Sequence, residues 1–444
     1  MIKKIHEIRD PIHNFIYFDA NEKLVIDSKP FQRLRYIHQL SLTYLVYPGA
    51  THKRFEHSLG VMELAGRVYD IVTNQRNIHK DIKEIIHEIE QEKNIKYWRN
   101  VLRMAELCHD LGHLPFSHGA EKELLPDGWN HERLTVEIIR TEEMRKIWKK
   151  MDPPLDIEHI VKLAVGEKEL SKFEKKVSYT EWESILAEII TGDAFGVDRM
   201  DYLLRDSYHA GVAYGRFDHY RLIDTLRILP RKREEDNKIE ALLGIEEGGL
   251  HSAEALLLAR YFMFTQLYFH HVRRSYDILL KEFLKKYLPG GSFTTNVEEH
   301  LKFTDNEITA GFLKAARDAK DPAHDPARRM VNREHFRLLY EPNSKDRLIN
   351  TEAAKAIYEA ACTKFGEDAV RLDNYLSKET EAPKFPVIKR DEQIIWSVSE
   401  SDILNKKLPI LLLEYIFILQ EKEEIAKKWL NENRESLIIP KKDG

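Results

Sequence analysis

A mainly α fold with a small β-hairpin and a C-terminal α+β lobe is what the sequence predicts, and three observations predict it. Apolar residues recur at helical spacing through much of the first 288 residues, as in Phe31, Leu34, Ile37 and Leu40, or Trp98, Val101, Leu102, Ala105 and Cys108. Residues 226–247 carry the pattern of a hairpin around Glu234-Glu235-Asp236-Asn237. Strand-forming runs then cluster near the C-terminus, at Phe385 to Ile388, Ile394 to Val398 and Leu408 to Leu419, ahead of a last helix at about 421–434. The expected division is a mainly helical core over residues 1–288 and an α+β lobe over 289–444.

In chain order, residues 1–22 read as an extended or turn segment, with turn signals at Asp10-Pro11 and Asn21 and strand-like Phe15, Tyr17 and Phe18. A helical region is expected over 23–46, with Gln32, Arg33, Arg35 and Gln39 on its polar faces, and a turn at Tyr47-Pro48-Gly49-Ala50. Ser58 reads as the N-cap of the next helix, which would place His57 just before its start. Residues 78–95 read as an exposed amphipathic helix with Ile82, Ile85, Ile86 and Ile89 on one stripe.

A helix is then expected to end at His109-Asp110, where Gly112 and Pro115 punctuate a stretch holding His109, His113 and His118. His131 opens a run to about Lys150, and Thr180 and Glu183 form a capping-box pattern before Ile185. Gly192 and Gly196 break that helix, and Asp198, Tyr202 and Asp206 follow at i, i+4, i+8 on one face of the next. Residues 252–287 give the strongest helical periodicity and carry Arg260, Tyr268, His270 and His271, while 290–350, with breakers Asp321-Pro322 and Asp325-Pro326, read as a mobile lobe.

Composition excludes several classes. Hydrophobic residues are 43% and charged residues 32% of the 444, which suits a folded globular chain. A formal net charge of −5 gives no global attraction to nucleic acid. Two cysteines, Cys108 and Cys362, make no disulfide framework, so a reducing cytoplasm is expected. The N-terminus has no signal-peptide apolar region, and the run from Leu408 to Leu419 is too short to span a bilayer, so no membrane partner is expected.

The chemistry-bearing residues point to a hydrolytic metal site. His57, His109, Asp110 and Asp198 each flank a helix end or a glycine break, where side chains from distant segments can meet. A set of imidazoles and carboxylates suits one divalent ion per subunit and does not choose among Mg, Mn, Fe, Co, Ni and Zn. His113, His118 and His131 have the pKa range for acid–base work, with Glu121 and Glu132 near enough in sequence to tune them. Arg54, Arg199 and Arg260, with Lys53, supply the forks and charge that match phosphate oxygens. There is no Gly-Lys-Ser/Thr phosphate loop and no nucleophile elbow around Ser58 or Ser117.

At these residues the sequence resembles the histidine–aspartate (HD) superfamily of metal-dependent phosphohydrolases, whose H…HD…D signature is matched by His57, His109-Asp110 and Asp198. The runs Phe31 to Ile37, Pro48 to His52, Arg54 to Gly60 and His109 to His118 are similar to the deoxynucleoside triphosphate triphosphohydrolases, over about residues 5–280. The resemblance implies an HD helical core that releases inorganic triphosphate from a dNTP, with Mg also accompanying the nucleotide. It implies phosphate contacts from Arg54, Arg199 and Arg260, with Arg199 standing where vertebrate relatives have lysine. His118 would be the general acid, supported by His113, His131 and Glu121, the last standing where aspartate is common. Tyr202 and Leu40 would wall the sugar C2′, Gln39 and Asp206 would reach the 3′-hydroxyl, and Tyr268 would line the sugar or base. Asp27, Gln32 and Arg35 match an allosteric site reading an activating nucleotide, GTP or a dNTP, at the interface of a homotetramer or dimer. No sterile-alpha-motif domain is expected ahead of the catalytic part. Other readings of the same residues are a different HD phosphohydrolase or phosphodiesterase, and a nucleotide-sensing or single-strand-binding protein.

Overall fold

The computed structural model describes residues 5–116, 121–233, 238–376, 383–405 and 412–439. It is mainly helical with small sheets, as the sequence predicts. The chain divides into two compact units: Met1–Met263 with Phe293–Asn306 and Glu381–Leu408, and Phe264–Ser292 with Glu307–Thr380 and Pro409–Gly444. Residues 264–288, expected in the core, therefore belong to the second unit, and 293–306 and 381–408, expected in the lobe, belong to the first.

The first unit opens with an antiparallel hairpin, Ile5–Asp10 paired with Asn14–Asp19. Asp10 closes its turn, because Oδ1 accepts the backbone N–H groups of Ile12 and His13. The helix expected over 23–46 is instead a series of short pieces: Ala20–Ile26, Lys29–Arg33, Leu34–Tyr36 and Ser41–Leu45. Ser28 caps the second piece and Pro30 follows inside its first turn, so a helix starts afresh there.

Two long helices, Arg54–Val72 and Glu92–Cys108, form the centre of the unit. Val61, Met62, Ala65, Val68, Val101, Leu102 and Ala105 are all buried between and around them. The first of these helices starts at Arg54, not at Ser58, because Glu56 accepts the Lys53 N–H at 2.7 Å and caps the end. His57 consequently lies inside the first turn and Ser58 is a buried interior residue. Residues 78–95 are not one exposed helix either: Lys80–Ile85 and a turn at His87–Ile89 bury Ile82, Ile86 and Ile89.

The run from His131 breaks into His131–Ile139 and Glu142–Lys150, with Thr141 capping the second. Ile157–Val165, Glu181–Thr191 and Val197–Ala210 complete the helical wall, and Thr180 and Glu183 form the expected capping box. The expected hairpin forms as Leu226–Lys232 and Ile239–Glu246; its turn at 234–237 lies outside the described residues. Pro386–Ile388 and Ile394–Trp396 extend that same sheet, the former pairing parallel with Ile239–Glu246.

The helix expected over 252–287 is split. Leu250–Met263 passes into a π-helical turn, Phe264–Tyr268, and His271–Tyr287 begins again with His270 as its cap. In the second unit Arg337–Tyr340 and Val370–Leu376 flank Leu412–Ile418 in an antiparallel sheet. Ala353–Phe365 and Glu423–Ile438 bury Ile357, Ala361, Ala426 and Leu430 against Val370, Ile416 and Ile418. The region read as a mobile lobe is built of regular elements, including Val297–His300, Asp305–Ala315, His324–Val331 and Ser344–Ile349. Among the described residues no helix is long and apolar enough to cross a membrane.

Candidate active site

The four expected metal ligands converge from three helices. His57 comes from the first turn of Arg54–Val72, His109 and Asp110 from the C-terminal end of Glu92–Cys108, and Asp198 from the first turn of Val197–Ala210. His57 Nε2 lies 3.0 Å from Asp198 Oδ1 and 3.8 Å from Asp110 Oδ2. His109 Nε2 lies 3.4 Å from Asp110 Oδ1 and 3.6 Å from Asp198 Oδ1. It is buried without a hydrogen-bond partner, although it faces two carboxylates. Nitrogen and carboxylate oxygens gathered within coordination distance of a common point, one nitrogen left bare, are what a divalent ion requires. His57, His109 and Asp110 bring one donor atom each within 4.8 Å of one another, a set without Asp198, and among the described residues Glu121, His131 and Glu132 do the same.

The electrostatics agree. Burial opposes protonation of His57, yet Asp198 and Asp201 outweigh it and hold that imidazole up at about 9. Burial likewise opposes protonation of His109, and Asp110 and Asp198 raise it to about 10. The same carboxylate field attracts a metal cation. Asp110 shows the opposite balance: burial would raise it, but Arg54, whose Nη1 is 2.6 Å from Oδ2, and His109 hold it well below the usual carboxylate range. Beneath His109 sits Glu106, fully buried with neither carboxyl oxygen hydrogen-bonded, and burial pushes its carboxyl well above that range.

Beside the ligands stands a pair of histidines. His113 Nε2 is 3.0 Å from Asp110 Oδ1, and its ring stacks on His131 at 4.0 Å between centroids. Burial, Arg54 and His131 push His113 well below the histidine range. For His131 burial acts downward too, but Glu121, 2.8 Å from Nδ1, outweighs it and raises the group to about 9. One ring is thus neutral and its stacked neighbour charged at neutral pH. Gly112 makes this stacking possible, since a Cβ there would lie 2.0 Å from the His131 carbonyl oxygen and 2.4 Å from Thr135 N. Thr135 clamps the loop by accepting from Gly112 N and donating to the His109 carbonyl. Arg33 donates to the His113 carbonyl, and Asp305 accepts from Phe116 N and lies 2.6 Å from His38 Nδ1.

These groups open onto a cavity of about 510 Å³, whose lining includes Gln39, Arg54, His109, Asp110, His131 and Tyr202. Gln39 is buried with Oε1 unpartnered. Arg199 is turned toward the carbonyls of Gly192 and Asp193, and with Arg260 it lowers the Tyr202 phenol against the larger upward push of burial. Asp206 accepts from His52 Nε2 at 2.7 Å, a partnership not expected for either residue. Leu40 is buried, and Tyr268 falls in the second unit, in its π-helical turn. His118 lies outside the described residues. Gln32 and Arg35 bond each other at 2.9 Å near the surface, with the Arg35 guanidinium over the Phe55 ring, while exposed Asp27 pairs with Lys23.

Sequence reasoning passed over Asp201, His13, Arg205 and Glu188. For Asp201 and Arg205 a signal existed, the i, i+4 acid–base spacing on one helix. Glu188 and the first turn of the short helix Glu167–Leu170, with its cap Gly166, line the cavity by tertiary placement alone.

Residues 54–206 match the HD domain and residues 217–363 the HD associated region. The chain belongs to the HD-domain family. An uncharacterized protein of Bacillus subtilis, YwfO, is 32% identical over 362 residues, covering 76% of this chain and 72% of that protein. The deoxynucleoside triphosphate triphosphohydrolase SAMHD1 of Gallus gallus is 30% identical over 363 residues, covering 75% of this chain and 55% of that enzyme. This chain thus spans about half the length of that relative. The crystal structure of a hypothetical protein from Aquifex aeolicus, 33% identical, superposes with a TM-score of 0.75 over 96% of this chain and 100% of the other.

Proposed function

We propose that the protein is a metal-dependent phosphohydrolase that cleaves dNTPs at the α-phosphorus into deoxynucleoside and inorganic triphosphate. The observation that carries this reading is the convergence of the His57, His109, Asp110 and Asp198 side chains on one another beside the stacked His113–His131 pair. The likeness to SAMHD1, named for this activity, supports it. The four ligands would hold one divalent ion, which supplies Lewis-acid polarisation of phosphoryl oxygen and activation of water.

The remaining chemistry belongs to the side chains. Hydrolysis adds a water-derived hydroxyl to the α-phosphorus and breaks its bond to the 5′-oxygen, which departs needing a proton. His131, which lines the cavity, carries one at neutral pH, fixed by Glu121. The role that resemblance gives His118, general acid at the α-phosphate, stands beside this. Arg54 ties its charge to Asp110 and, with Arg199 and Arg260, balances the triphosphate. Tyr202 and Leu40 would exclude a 2′-hydroxyl, and the unpartnered Gln39 carbonyl offers the 3′-hydroxyl an acceptor. Asp206, aligned by His52, would complete the sugar contacts. An activating nucleotide at Asp27, Gln32 and Arg35 in a tetramer or dimer belongs to the same proposal.

Chromatographic product analysis with each dNTP, singly and in pairs, across several metals tests it. Unbroken triphosphate plus deoxynucleoside is expected, with the matching NTP spared; stepwise orthophosphate release would sink the reading. His109→Ala should lower turnover at least about 10³-fold, as loss of a metal ligand does in a site whose rate depends on the ion.

A further inference from the structure

Behind His57 lies a carboxylate for which the proposed chemistry has no use. Asp201 follows Asp198 by about one turn on the Val197–Ala210 helix and is completely buried. Its two oxygens take four donors. Oδ2 accepts from His57 Nδ1 at 2.8 Å and from Arg205 Nε at 2.8 Å. Oδ1 accepts from His13 Nε2 at 2.7 Å and from Arg205 Nη2 at 3.0 Å. A carboxylate offers about four lone-pair positions, so Asp201 is saturated and has none left for a metal. Its bond to His57 requires a proton on Nδ1, which leaves Nε2, facing Asp110 and Asp198, as the nitrogen a metal would take.

The support continues outward. Arg205 Nη1 donates to Asp10 Oδ2 at 2.8 Å, and Asp10 Oδ1 closes the turn of the N-terminal hairpin. His13 belongs to that same turn, so two routes, through His13 and through Asp10–Arg205, join the hairpin to the back of a metal ligand. Gly60, one turn beyond His57, leaves the space: a Cβ there would lie 2.0 Å from Asp201 Oδ1 and 2.4 Å from Arg205 Nη2. His109 is anchored differently, its Nδ1 lying 2.6 Å from the backbone carbonyl of Glu106.

We infer that Asp201 is the positioning residue of the metal site and that the hairpin turn, through Asp10, His13 and Arg205, is its outer support. This rests on the metal-site reading but not on the substrate. A carboxylate on the far nitrogen of a ligating imidazole fixes its tautomer and raises its basicity, and removing such a partner costs about 10–100-fold in metal affinity.

The test is Mn²⁺ titration of metal-free protein, read from the electron paramagnetic resonance of the free ion, for wild type, Asp201→Asn and Asp10→Asn. Asp201→Asn, which turns an amide N–H₂ against two donors, should weaken binding about 10–100-fold. Asp10→Asn leaves both His57 and Asp201 in place and should weaken it by a smaller factor. The visible absorption of bound Co²⁺ should shift in Asp201→Asn, a change that a general loss of stability does not produce. Wild-type affinity in both variants overturns the inference; if Asp201→Asn does not fold, Asp10→Asn decides alone. A wild type that binds no Mn²⁺ overturns the metal reading and this inference together. A wild type that binds the ion but leaves dNTPs intact removes only the proposed substrate and leaves the titration as the test of Asp201.

Discussion

The two sides of the cavity are built differently. On the metal side nearly every polar group is fixed by another: Arg54 on Asp110, His113 on Asp110, His131 on Glu121, His57 on Asp201. Among the groups proposed for the nucleotide, the side chains look elsewhere or at nothing: Arg199 bonds backbone carbonyls, Asp206 is taken by His52, and Gln39 Oε1 has no partner. Under the proposed function the metal side would be set before substrate arrives, and the side proposed for the nucleotide would exchange partners to bind it. Preorganised groups contribute to the barrier, whereas groups that must reorganise contribute mainly to binding. Substitutions on the first side should therefore lower kcat, and those on the second should raise KM.

That contrast can be broken in three places. The largest effect is expected at Gly112, where alanine places a Cβ 2.0 Å from the His131 carbonyl. Gly112→Ala should separate His113 from His131, lower kcat by about 10²-fold as loss of acid–base help does, and cost about 1–3 kcal/mol of stability by overpacking. Steady-state kinetics and thermal unfolding check it; an unchanged kcat would show that the stacked pair has no part in turnover. Next comes Arg199→Ala, which leaves the metal ligands untouched. A rise in KM of about 10-fold, with kcat within a factor of a few, is expected from removing one charge-assisted phosphate contact. A fall in kcat alone would move Arg199 to the preorganised side.

The smallest effect concerns Glu188, a cavity-lining carboxyl whose pKa burial raises to about 7. In the unfolded chain such a group titrates near 4.5, so between these values the folded state binds more protons. Stability attributable to Glu188 is thus fully present below about pH 4.5 and is lost as pH rises through 7. Glu188→Gln should flatten that decline, raising the melting temperature at pH 8 by a few degrees and changing it little at pH 5. A melting curve that keeps the wild-type pH dependence would contradict this assignment.

Much of the site was legible in the chain, and for identifiable reasons. His109-Asp110 at a helix end, Asp198 after Gly196, and the capping box at Thr180 depend on local spacing and capping, which a short window contains. The misplacements are also local in origin. Ser58 resembles an N-cap, but Glu56 capping the Lys53 N–H starts the helix at Arg54 and leaves Ser58 in its buried interior. The isoleucine stripe over 78–95 looked like an exposed helix because periodicity shows which residues share a face, not what covers it. The π-helical turn Phe264–Tyr268 keeps the helical period on both sides, so composition gives no warning of the break.

The sequence by itself determined the mainly helical class and nominated the four candidate ligands and the histidines beside them, because residue type and spacing relative to helix ends carry that information. Only the tertiary structure decided which histidine of the stacked pair is charged, which arginine is already committed to a ligand, and what stands behind His57. Those outcomes depend on burial and on partners from His13 to Arg205, far apart in the chain, and a charge's state in a protein is set by its neighbours in space rather than in sequence.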